Sequence, residues 1–203
     1  MKLKDAWDQL RLIKHYIIAA ALVFAVAIFL GASEPERYRW MIDLQMEALN
    51  KLKQEVGNEP NMQWSLFWVI FLNNTKVSLQ VILSGLFFGI PPLFLLVSNG
   101  ILLGYVGADG ANQHSVFDVV KGIAPHGILE LPAIVVACAL SLRLGVLVSK
   151  WLISLPSPTR SKIVVQQLKV YARSLVPLCL LLVLVLFIAA IIESTVTFWI
   201  VQN

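Results

Sequence analysis

Residues 122–148 read GIAPHGILELPAIVVACALSLRLGVLV, and in that run only Glu130 and Arg143 carry a full charge. About 20 apolar residues in a helix are enough to cross the hydrocarbon core of a bilayer, so a run of this length reads as a transmembrane span. A single spanning segment in lipid must satisfy its own backbone groups, and a helix does so. The whole composition agrees: hydrophobic residues make up 58% of the 203, and charged ones 14%, against about 25% charged in soluble domains. Mean hydropathy is +0.78. The expected fold is all-α, a polytopic transmembrane helical bundle of about five spans in a single transmembrane domain.

Four further spans can be drawn around this one. The first covers 15–30 and follows Lys2, Lys4, Arg11 and Lys14, a pattern that also fits an uncleaved signal anchor. Residues 31–62 form a polar external loop with Glu34, Glu36, Asp43, Glu47, Glu55 and Glu59. Within it, Trp40, Met41, Leu44, Met46, Leu49 and Leu52 recur at partial helical spacing, which predicts a short amphipathic helix at the outer membrane face. Spans at 64–89 and 93–107 divide at Pro91-Pro92, because proline cannot continue a helix and biases the residue before it away from one. An outer loop at 108–121 precedes the span at 122–148. A basic cytoplasmic loop at 149–173 and a last span at 174–201 complete the chain.

The charges orient these spans. Lys150, Arg160, Lys162, Lys169 and Arg173 fall in a loop without acid, so that loop and the basic N-terminus are expected in the cytoplasm, with the C-terminus outside. The net charge of +4 then fits a lipid bilayer with anionic headgroups, and no nucleic-acid partner is expected. Cys138 and Cys179 lie in apolar segments without a CxxC partner and read as small buried hydrophobes.

Ionisable groups within spans are expensive and read first as functional. His126 and Glu130, four apart, share one face of a helix. Counting depth at 1.5 Å per residue puts Glu130 roughly 14 Å below the outer surface and Glu193 about 15 Å below it. Asn73, Asn74 and Asn99 count to a similar depth, so a shared polar layer near the midplane is expected. Three chemistries fit such a layer. His126, Glu130 and Glu193 form a candidate divalent-metal shell, with zinc suited to mixed nitrogen and oxygen ligands. The same residues fit a proton-sharing or solute pathway, and they also fit a satisfied hydrogen-bond cluster that holds helices together. Pro125 suits a first helical turn, and Pro132 is expected to free the Ile128 carbonyl inside the span. Gly85 with Gly89, and Gly100 with Gly104, match the small-xxx-small pattern of close helix packing, within one chain or across a homodimer.

The order Phe71-Leu72-Asn73-Asn74, Gly85-x-x-x-Gly89, Ser98-Asn99-Gly100-x-x-x-Gly104, His126-Gly127-x-x-Glu130-Leu131-x-Ala133 and Ile192-Glu193 resembles the stage II sporulation protein M family. The resemblance covers roughly residues 60–200, and the His-Gly-x-x-Glu phrase is its most specific part. It implies a five-span protein of the bacterial inner membrane, with His126, Glu130 and Glu193 among the signature residues. It also implies a role similar to that of a scaffold that recruits two extracytoplasmic cell-wall hydrolases, an amidase and a lytic transglycosylase, during engulfment. The leading expectation is therefore a non-enzymatic membrane scaffold or anchor. A small transporter or channel using the His/Glu cluster is the second reading. An intramembrane metallohydrolase is third, since no HExxH signature is present.

Overall fold

The structure is a computed structural model that describes residues 11–57, 62–113 and 129–202. Its helices are α1 (Lys14–Ser33), α2 (Arg39–Gly57), α3 (Met62–Ser84), α4 (Ile90–Gln113), α5 (Glu130–Ser154) and α6 (Pro158–Gln202). Short 3-10 turns at Pro35–Tyr38 and Gly85–Phe87 complete the architecture, and no strand occurs among the described residues. All the helices except α2 are long and apolar enough to cross a membrane, which gives five candidate spans. The amphipathic helix expected in the 31–62 loop is α2.

The bundle is organised around α5, which contacts α1, α3, α4 and α6. Its sequence explains the position. Ala133, Ala137, Ser141 and Gly145 recur every fourth residue and are all buried, so one stripe of small side chains admits neighbouring backbones. Lipid tails are as apolar as leucine, so spans associate through close packing and hydrogen bonds. Both are present here. Ser141 Oγ donates to the Val81 carbonyl at 2.5 Å, Tyr171 Oη donates to the Leu140 carbonyl at 2.6 Å, and Cys138 Sγ reaches the Pro92 carbonyl at 3.6 Å. The opposite faces carry apolar side chains outward, among them Ile18, Leu22 and Phe29 on α1 and Val176, Leu180 and Leu184 on α6.

The most extensive helix pair is α1 with α4. Gly100 lies against Phe24 and Ala27, Gly104 against Ile28 and Ala32, and Gly31 against Ile101. Contacts that advance together in both helices mean that α1 and α4 run parallel. Gly85 faces Ser141 and Gly145 faces the Phe88–Gly89 backbone. All of these glycine contacts lie within one chain.

Several boundaries differ from the sequence reading, each for a local reason. Pro91 and Pro92 belong to the first turn of α4, where a missing N–H costs nothing. The chain reverses just before them, at Phe88 (φ 60°) and Gly89 (φ 78°); glycine adopts that left-handed backbone without steric cost. The expected basic loop at 149–173 shrinks to 155–157, because α5 continues to Ser154 and α6 begins at Pro158. Lysine, arginine, glutamine and leucine are strong helix formers, and Pro158 suits a first helical position. Helix α5 starts at Glu130 rather than at 122. Pro132 therefore falls in its first turn and leaves the interior of α5 unkinked by any lost bond.

Candidate functional site

His126 and Pro125 lie outside the described residues, so the geometry begins at Glu130. This glutamate opens α5, is 9% exposed, and its Oε1 accepts a hydrogen bond from Asn74 Nδ2 on α3 at 2.5 Å. Asparagine supplies a neutral donor to a buried acid, and such satisfied polar contacts hold spans in register. With Ser141 bonded to Val81, the Asn74–Glu130 contact shows that α3 and α5 run parallel.

Arg143 fixes the depth of this pair, because it borders a groove with Leu12 and Tyr16 at the start of α1. Glu130 is about 20 Å further along α5, and the 20-residue α1 is about 30 Å long at the same rise. Glu130 therefore sits roughly 10 Å inside the far end of α1.

Glu193 occupies a different level. The bond between Tyr171 and the Leu140 carbonyl sets the register of the antiparallel α5–α6 hairpin. From that contact Glu193 lies about 33 Å along α6 and Glu130 about 15 Å along α5 in the same direction, an axial offset of roughly 18 Å. Phe187 agrees, since it packs edge-on against Phe67 and Phe71 of α3, at 5.5 and 5.4 Å between ring centroids, well before the level of Asn74. By this count the two carboxylates stand at different levels of the bundle. Depth counting from the sequence took the C-terminus as the membrane surface, whereas α6 is 45 residues long and carries Glu193 beyond the end of α1. Glu193 is 3% exposed. Among the described residues, no group of three His, Cys, Asp or Glu stands together to hold a metal.

The asparagines divide in the same way. Asn74 reaches Glu130, while Asn73 is half-buried beside it. Asn99 Nδ2 donates to the Leu95 carbonyl at 2.8 Å, one turn back on its own helix. With Ser78, Asn99 also borders a cavity of about 10 Å³ between α3, α4 and α5, roughly the space of one water molecule. Among the described residues, Ser78 Oγ and, one turn before it on α3, Thr75 Oγ1 are buried without a hydrogen-bond partner. Lys76 points out of the bundle.

Sequence reasoning missed two interhelical contacts, Ser141 to α3 and Tyr171 to α5. The Ala133, Ala137, Ser141, Gly145 spacing was a legible signal for the first. The second bonds a backbone carbonyl and leaves no pattern.

The Stage II sporulation protein M family model matches residues 17–198. The chain belongs to that family. Membership makes it a sporulation-related membrane protein by family, and its five candidate spans accord with that. The family match includes Asn74, Glu130, Glu193 and the packing glycines. The chain is also similar to an uncharacterized protein of Methanocaldococcus jannaschii, 22% identical over 191 residues, covering 91% of this chain and 82% of that protein. No solved structure matches.

Proposed function

We propose that the protein is a non-enzymatic scaffold in the bacterial inner membrane that presents α2 to extracytoplasmic cell-wall hydrolases. The observation that carries this reading is the way α2 is held. Its first turns are anchored: Met41 and Ile42 are buried with Ala27 and Ile101, and the Trp40 ring stacks on Phe94 at 6.2 Å. From Glu47 to Lys51 the helix is exposed, and a Glu47–Lys51 ion pair of 2.8 Å lies along it. A rigidly based helix with a free polar flank suits partner docking. Lys14 opens α1 and α2 follows the other end of that helix, and the positive-inside rule supports a position for α2 outside the cytoplasm.

Co-purification from solubilised native membranes tests it. Replacing Leu44 and Leu49 with serine and reversing both charges of the Glu47–Lys51 pair is expected to lower hydrolase recovery at least tenfold at equal protein level. Unchanged recovery would sink the proposal.

A second reading, a small ion or proton transporter, is favoured by one observation. Helix α5 begins inside the bundle, with Glu130 buried at its first turn, as in transporters whose broken helices bind ions at their ends. Among the described residues, a cavity of about 10 Å³ lies between α3, α4 and α5. Loss of ion flux in liposomes on Glu130→Gln would favour this reading over the scaffold.

A further inference from the structure

A cation with a buried, unpartnered N–H among the described residues lies at the basic end of the bundle. Arg143, on α5, holds its guanidinium 4.7 Å from the centre of the Tyr171 ring. Its Nη1 is buried and has no hydrogen-bond partner. Tyr171 is itself fixed by its bond to the Leu140 carbonyl, so the arginine rests on a rigid platform. An enclosed guanidinium N–H without an acceptor is costly, and the natural complement is an oxyanion, which arginine binds through its planar fork.

The surroundings supply the space. A groove of about 340 Å³ runs between the start of α1, α5 and α6, bordered by Leu12, Tyr16, Arg143, Lys150 and Gln167. A second lobe of about 220 Å³ continues past Arg143 along Val170. Both lobes therefore meet at the guanidinium. One side of the groove offers two cations and hydrogen-bonding groups, and the other offers aliphatic side chains. Its level is that of Lys14, where α1 begins, which is the depth of lipid headgroups for a 30 Å span. More basic residues, Lys162 and Lys169, stand on α6, and such clusters attract anionic lipid.

We propose that this groove is a specific site for an anionic phospholipid, with the phosphate seated on Arg143 and Lys150 and the acyl chains lying along Leu12 and Val170. The site is independent of the scaffold reading. It gives the basic end a defined lipid ligand, beyond a diffuse surface attraction.

Native mass spectrometry of the delipidated full-length protein, titrated with phosphatidylglycerol, phosphatidylcholine or inorganic phosphate, tests the proposal. Phosphatidylglycerol is expected to bind about tenfold more tightly than phosphatidylcholine, and inorganic phosphate is expected not to displace it. Arg143→Gln and Lys150→Gln are each expected to weaken phosphatidylglycerol about tenfold, whereas Arg160→Gln, exposed on α6 outside the groove, leaves it unchanged. Lys150 is exposed, so its variant keeps the test decisive if Arg143→Gln fails to fold. Equal binding of the two lipids overturns the proposal, as does a loss with Arg160→Gln that matches the loss with Lys150→Gln. Displacement by inorganic phosphate would assign the groove to a soluble phosphate compound and overturn the lipid assignment.

Discussion

Two glycines on α4, one turn apart, should respond to alanine with opposite sign. At Gly104 an added methyl would run into the Ile28 carbonyl oxygen and stand 2.9 Å from the Ala32 nitrogen. Both obstacles are backbone of α1, so no side chain can turn away to make room. Overpacking of this kind costs about 1–3 kcal/mol, and rigid backbone places Gly104→Ala at the upper end. Alanine regains about 0.5–1 kcal/mol of helix propensity, which leaves a net loss of about 2 kcal/mol, or roughly thirtyfold in the unfolding equilibrium. At Gly107 a methyl would meet nothing within 4 Å among the described residues. There only the propensity remains, so Gly107→Ala should stabilise by about 0.5–1 kcal/mol. Reversible unfolding in bicelles, followed by tryptophan fluorescence or steric trapping, measures both variants against wild type. A Gly104→Ala protein as stable as wild type would refute the close α1–α4 packing, and a destabilised Gly107→Ala would refute the explanation by space.

Asn74→Leu leaves a buried carboxylate without one of its donors and should cost about 1–3 kcal/mol. A double-mutant cycle with Glu130→Leu should then show a coupling of about 0.5–3 kcal/mol, and strict additivity in the same bicelle assay would remove the contact from the account. The ion pair on α2 predicts a pH response at both extremes. Lys51 holds Glu47 below the usual carboxylate range and Glu47 holds Lys51 above the usual lysine range. The depressed acid contributes above its unfolded pKa and is lost as pH falls through its lowered value, while the raised base contributes at lower pH and is lost as pH rises past about 10.5. Hydrogen exchange across residues 45–51 should therefore be slowest at intermediate pH. A flat profile after correction for intrinsic exchange would contradict the pairing.

The spans were legible because lipid imposes length and apolarity on any segment that crosses it. The α2 helix was legible from the spacing of Trp40, Met41, Leu44 and Met46. Boundaries were less so. Pro125 and Pro132 both fit a first helical turn, and nothing in the letters alone decided for Glu130 as the start of α5. The basic stretch 149–173 reads as a loop by polarity, although its residues favour helix, and a helix outside the membrane needs no apolar run. The candidate site was half legible. Glu130 is a buried acid within a span, as expected, but Asn74 as its donor required the register between α3 and α5. The level of Glu193 depends on how far α6 extends, 45 residues in all, and that length cannot be counted from hydropathy. Tyr171 and Ser141 bond backbone carbonyls, which any residue presents, so their partners leave no trace in composition.

The proposed scaffold stands or falls on what meets the exposed flank of α2. A photo-crosslinking amino acid placed at Leu49, which is exposed, and at Ile42, which is 4% exposed, reports that contact in native membranes. The account predicts adducts with an extracytoplasmic cell-wall hydrolase from position 49 and none from position 42. Adducts from position 49 that contain only lipid or a second copy of this chain would contradict it.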